Sequence, residues 1–144
     1  MSPAAGAATV SIGGQAAGFP VRAARAAAMA VLAGERHPAD VTITFLSSEA
    51  MRRLNAAYLQ HDWPTDVLSF PLEQPGGRLA GDLYICRAVA ARQAREHRVP
   101  VRDEVLRLVI HGTLHLLGWD HPAGADRTVS PMWQRQEAYL AAAK

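Results

Sequence analysis

One cysteine, Cys86, stands in 144 residues, so the sequence excludes an intrachain disulfide and a cysteine-built zinc site. Such sparing use of cysteine suits a reducing cytoplasm. Lysine is nearly absent too: Lys144 is the only one among fifteen basic residues, and the arginines that make up the rest favour bidentate phosphate contacts and stacking. A net charge of +2 does not by itself mark a nucleic-acid partner. There is no glycine-rich phosphate loop, no G-x-S-x-G elbow and no internal repeat, which removes support for nucleotide hydrolysis and serine esterase chemistry. No apolar run is long enough to span a bilayer. The alanine-rich run from Ala23 to Ala33 contains Arg25, is too short, and starts too far in for a signal peptide. Residues 1–8, rich in alanine, glycine and proline, lack both a basic start and an apolar core, and are expected to be loose. What remains, at 49% apolar and 19% charged residues, is the composition of an ordinary globular chain, and residues 1–144 fit one domain.

Histidine, by contrast, is concentrated. The segment His111-Gly112-Thr113-Leu114-His115-Leu116-Leu117-Gly118-Trp119-Asp120-His121 places three imidazoles at helical and post-helical spacing. Residues four apart on a helix share a face, with Cβ atoms about 5–6 Å apart, so His111 and His115 can each place a ring nitrogen about 2.0–2.1 Å from one ion. Gly118 accepts the left-handed conformation that ends many helices, which turns the chain back and brings in His121. A lone histidine on an apolar helix is ordinarily a packed core residue, and a pair at this spacing arises often by chance; a third after a helix-ending glycine does not. Three ligands leave one position open, as in catalytic zinc sites, where a bound water becomes acidic near neutral pH. From Val105 to Leu117 the only charged residue is Arg107, so the helix reads as apolar all round and its histidines as buried. Buried imidazoles without partners are costly, and an ion would remove that cost.

The spacing equals that of the metzincin proteases, H-E-x-x-H-x-x-G-x-x-H, but Gly112 occupies the position of their general-base glutamate, which counts against a peptidase. At these same residues the chain closely resembles the bacterial YbeY-type endoribonucleases, whose motif is H-G-x-L-H-L-x-G-[YW]-D-H. Thr65-Asp66-Val67-Leu68-Ser69-Phe70-Pro71 is similar to that family's second signature. Leu54-Asn55 and Tyr58 resemble the stretch leading into it, and Gly81-Asp82 resembles the third, so the likeness spans about residues 40 to 137. One departure is Leu59, at a position where many relatives carry an arginine thought to matter for activity.

The resemblance implies a zinc-dependent endoribonuclease specific for single-stranded RNA, which matures the small-subunit (16S) ribosomal RNA near its 3′ end. It further implies one Zn2+ per chain on His111, His115 and His121, partners in the small ribosomal subunit, no membrane, a cytoplasmic location and an RNA cleft beside the metal. Asp120, next to the third ligand, is a candidate for orienting a histidine or moving a proton, and Asp66 is a similar candidate or a brace for its loop. Two rivals stand beside this reading: a peptidase or amidase, and a non-catalytic ribosome-assembly factor in which zinc only holds the cleft together.

The rest of the chain predicts an α+β fold, a small mixed four-stranded sheet with helices packed on it and the histidine helix at its centre. Thr9 to Ile12 is a weak strand candidate before Gly13-Gly14. Pro20 and Gly34 bracket a helix with Val21, Ala24, Ala28, Val31 and Leu32 along one stripe. Val41 to Phe45 alternates as a strand. Ser47 or Ser48 caps a helix whose apolar face is Met51, Leu54 and Tyr58; Arg52 and Arg53 fall outside that stripe, as a solvated surface or as phosphate contacts. Val67 to Phe70 reads as a strand closed by Pro71, Pro75-Gly76-Gly77 as a turn, and Leu79 to Ile85 as the second arm of a hairpin. Helices are then expected from Arg87 to His97, from Pro100 with Asp103 and Glu104 in the first turn, and from Ser130-Pro131 with Met132, Gln136, Tyr139 and Leu140 on one face. Met132 invites comparison with the methionine turn of metzincins, but a methionine at helical spacing is ordinarily core.

Overall fold

The computed structural model describes residues 7–74, 76, 78–120 and 130–144. Along the chain run β1 (Thr9–Gly14), α1 (Val21–Gly34), β2 (Ala39–Leu46), α2 (Ser48–Leu59), β3 (Val67–Glu73), β4 (Leu79–Cys86), α3 (Arg87–His97), α4 (Val101–Leu116) and α5 (Pro131–Ala143). The four strands form one sheet in the order β1-β2-β4-β3. β1, β2 and β4 are parallel, while β3 is antiparallel to β4 with Val67 opposite Ile85 and Glu73 opposite Leu79. This is the expected α+β class with a mixed sheet of four strands and the expected hairpin.

Alternation along the strands divides the core. Val41, Ile43, Phe45, Leu83 and Ile85 are fully buried among residues of α1, α4 and α5. The opposite face is smaller: Met51 of α2, Leu68, Cys86 and Val89 are buried together, with Phe70 and Tyr84 at their margin. α4 packs on β3 and β4 and also touches α1, α3 and α5, so the histidine helix lies inside the helical layer. Two glycines permit that approach. A Cβ on Gly81 would lie 2.5 Å from Leu116 Cδ2, and one on Gly112 would lie 2.9 Å from Leu83 Cδ2. None of the described helices is long and apolar enough to cross a membrane.

Several local expectations are corrected. Pro71 does not close its strand; β3 continues to Glu73, because an edge strand tolerates a residue without an N–H. β1 likewise runs through Gly13 and Gly14, held by parallel pairing with β2. Gly34 is the last residue of α1 rather than the one beyond it, and its lack of a side chain makes room for Tyr139, whose hydroxyl would lie 2.2 Å from a Cβ there. Residues 1–6 lie outside the described residues; next to them the Arg78 guanidinium donates to the Ala7 carbonyl and Ala8 packs against the core. On α2 the buried residues are Met51 and Asn55, whereas Tyr58 is 67% exposed. Other local signals hold. Ser47 Oγ accepts from Ala50 N at 3.2 Å, Ser130 Oγ accepts from Trp133 N at 3.1 Å, and Met132 is buried as a core residue.

Candidate metal centre and substrate cleft

α4 is not apolar on every side. Arg107, His111 and His115, spaced four apart, form a half-buried stripe, while Val105, Leu106, Leu108, Val109, Ile110, Leu114 and Leu116 are buried around them. The expectation of buried histidines is therefore corrected: tertiary packing covers three sides of the helix and leaves the fourth lining a cleft. The His111 and His115 rings lie 4.5 Å apart between centroids at 80° to one another. Leu117 N donates to Thr113 O, and Gly118 takes φ 98°, the left-handed turn expected at the helix end.

After that turn the chain is pinned. Trp119 Nε1 donates to Glu35 Oε1 at 2.8 Å, Tyr139 Oη donates to Glu35 Oε2 at 2.5 Å, and Arg135 Nε lies 3.0 Å from the same carboxylate. The Arg135 guanidinium also lies over the Trp119 ring, 5.4 Å from its centroid. Burial pushes the Glu35 carboxyl up, but the Tyr139 and Trp119 hydrogen bonds and the Arg135 charge more than offset it, so its pKa falls below the ordinary 4.5. Glu35 thereby ties the end of α1 and the face of α5 to the turn that leads into Asp120, which is exposed. His121 lies outside the described residues. Among the described residues no three acidic, cysteine or histidine side chains gather to hold a metal. The two histidines that are described do suit one: they share a helix face, and His111 Nδ1 is 2.6 Å from Gln136 Oε1, the kind of orienting partner that ligating imidazoles carry.

Facing them across a hollow of about 350 Å³ are Leu59, Asp66, Val67, Leu68, Ser69 and Pro71. Leu59 is 47% exposed and so points into the cleft rather than the core. Asp66 is brought close to His111, yet its carboxylate is engaged locally: Oδ1 accepts from Val67 N at 2.7 Å and Oδ2 from Gln93 Nε2 at 3.4 Å, while its carbonyl accepts from Cys86 N at 2.9 Å. These bonds brace the loop before β3. The same loop is held by buried Asn55, whose Nδ2 donates to the Trp63 carbonyl at 2.8 Å. Arg52 pairs with Glu49 and Asp62, and Arg53 with Glu49, so both sit in surface ion pairs. Ser69 Oγ donates to the Gly112 carbonyl at 3.2 Å, tying β3 to α4 between the two histidines. A second hollow of about 530 Å³ extends from Asp66 and His111 past Gln93, His97, Arg107, Trp133 and Gln136. Gln136 was legible only as a position on the inner face of α5; its contact with His111 crosses twenty-five residues of sequence and has no local signal.

The sequence and the α+β fold are shared with known proteins. Residues 20–144 match the family described as endoribonuclease YbeY, and the chain belongs to that family. A protein of that name from Moorella thermoacetica is 41% identical over 152 aligned positions, which cover 91% of this chain and 94% of the relative. Its namesake from Chlorobium luteolum is 40% identical over 111 positions, covering 76% of this chain and 79% of the relative. Among solved structures, the solution structure of TM1509 from Thermotoga maritima superposes with a TM-score of 0.67 at 27% identity, covering 94% of this chain and 89% of that one.

Proposed function

We propose that this protein is a zinc-dependent endoribonuclease that cuts single-stranded RNA and acts, as the family resemblance implies, near the 3′ end of the small-subunit (16S) ribosomal RNA in the cytoplasm. The observation that supports the metal half of this reading is the placement of His111 and His115 on the open stripe of α4, with His121 expected from beyond the Trp119 turn as the third ligand. Zinc held by the three would acidify a water and polarise a phosphoryl oxygen. The remaining work belongs to the chain itself. Gln136 holds the His111 ring, and the Ser69 bond keeps β3 against α4, so the cleft keeps its width. Asp66 braces the loop; Asp120, exposed at the end of the Trp119 turn, would orient a histidine or pass a proton.

A peptidase would place a glutamate after the first histidine. Here a Cβ at that position would lie 2.9 Å from Leu83 Cδ2 and 3.2 Å from Ser69 Oγ and Val67 Cγ2, so a side chain is admitted only if its neighbours shift. The assembly-factor reading draws on a different observation: Leu59 stands in the cleft, and no arginine is among the described residues lining the hollow beside both histidines. One experiment separates the two. Zinc-loaded protein is incubated with single-stranded RNA and with a ribosomal precursor, and the cut ends are mapped; folded His111→Ala and His115→Ala variants should bind RNA but not cut it. No cleavage of either RNA at full zinc occupancy would rule out the nuclease reading and leave the assembly role. RNA affinity should fall with salt at a log–log slope near about −0.7 per phosphate neutralised.

A further inference from the structure

Gln136 is 1% exposed, on the buried side of α5 between Met132 and Leu140. A buried amide is tolerated when both of its ends are bonded, and here they are. Oε1 lies 2.6 Å from His111 Nδ1 and Nε2 lies 3.1 Å from Glu137 Oε2. The Glu137 carboxylate is held by Arg107, whose Nε and Nη2 each lie 3.3 Å from one of its oxygens, while Arg107 Nη1 is 3.0 Å from Glu104, itself 2% exposed.

Hydrogen-bond directions in this chain are dictated by chemistry. A guanidinium only donates and a carboxylate only accepts, so Glu137 takes an N–H from Gln136 and fixes which end of the amide faces it. The other end, toward His111, is therefore the oxygen. An amide oxygen only accepts, so the His111 proton sits on Nδ1 and the lone pair of the neutral ring sits on Nε2. We propose that Gln136 is a positioning residue for the metal centre: with Glu137 and Arg107 behind it, it presets His111 in the tautomer that offers Nε2 to the ion. This inference rests on the reading of His111 as a ligand. It adds that the choice of ligating nitrogen is made by α5, before any metal arrives.

The proposal is tested on the full chain with two readouts other than catalysis. Long-range nitrogen–proton NMR on the metal-free protein, at a pH where the rings are neutral, should show His111 protonated on Nδ1. Zinc affinity, measured by competition with a chelator, should fall about 10–100-fold in Gln136→Met, with the His111 signals moving to a mixture of tautomers. Glu137→Ala, on the more exposed side of the network, should loosen the tautomer without removing a core side chain. A ring protonated on Nε2 in the unsubstituted protein overturns the proposal, whatever the variants do. So does a folded Gln136→Met whose zinc affinity stays within about twofold of the parent while His111→Ala loses the metal. If the unsubstituted chain binds no zinc at all, the metal reading itself fails, and this result is distinct from either outcome above.

Discussion

The two walls of the cleft are built on opposite terms. On the α4–α5 side, Arg107 and His111 are tied to Glu104, Glu137 and Gln136 through charged and amide groups that cross between helices. On the β3 side, Leu59, Asp66, Val67, Leu68, Ser69 and Pro71 line the cleft; no cation is among them, and the two polar side chains are already engaged, Asp66 with Val67 N and Gln93 and Ser69 with the Gly112 carbonyl. A polar wall of interlocked partners holds ring orientations to within a narrow range, because each displaced group would strand the next. A wall without a cation shapes a passage but brings no positive charge to an anionic oxygen. The polar network of this cleft is concentrated on orienting His111, and the wall opposite carries no positive charge.

The strongest break of the first wall is removal of a ligand. His111→Ala and His121→Ala should each lose near-stoichiometric zinc by metal analysis, and near-stoichiometric zinc in both would remove the assignment. Metal removal from the parent should lower its stability by about 4 kcal/mol when free metal had exceeded Kd a thousandfold. Because the histidines are half-buried rather than enclosed, the apo chain should still fold, which circular dichroism would show.

Next in size is a change to the second wall. Leu59→Arg places a guanidinium in the cleft opposite both histidines, where a preorganised donor to a transition-state oxygen is worth about 10²–10³ in rate. The exposure of Leu59 implies a folded variant with an unchanged melting temperature. A folded variant with an unchanged cleavage rate would mean that this position never approaches the phosphate.

The junction of the two walls is Gly112. Gly112→Glu should cost about 1–3 kcal/mol, because its Cβ would meet Leu83 Cδ2 at 2.9 Å and Ser69 Oγ and Val67 Cγ2 at 3.2 Å. Denaturant unfolding measures this, and the variant should show no peptidase activity.

The smallest effect concerns the pin behind the cleft. Glu35 has a pKa lowered in the fold, so its contribution is present above its ordinary 4.5 and is lost as pH falls through that value and the lower folded one. Melting temperature should therefore drop more steeply below about pH 4.5 in the parent than in Glu35→Gln. At neutral pH that substitution should cost about 1 kcal/mol, through weaker bonds from Trp119, Tyr139 and Arg135. Parallel acid profiles for the two proteins would show that Glu35 does not anchor the turn.

Much of this molecule was legible residue by residue. Ser47 and Ser130 cap the helices they precede, β3 and β4 pair as the expected hairpin, with Pro75 and Gly77 of its turn outside the described residues, and Gly118 takes the left-handed φ its position demands. The histidine pair was readable because a helix puts residues four apart on one face whatever surrounds it. Less readable were Pro71, which sits within a strand because that strand is an edge, and Gly34, whose role is space for a tyrosine far along the chain.

Backbone sterics and hydrogen bonding over a few residues set the type of each element, the serine caps, the turn after α4 and the shared face of His111 and His115. Packing between distant elements left α4 half-buried along one stripe, turned Leu59 into the cleft, set Glu35 against Trp119 across eighty-four residues, and brought a core-spaced glutamine on α5 to His111. The reason is physical: periodicity states which residues share a face, but the partner of that face is chosen by the packing of elements distant in the chain, to which local patterns carry no reference.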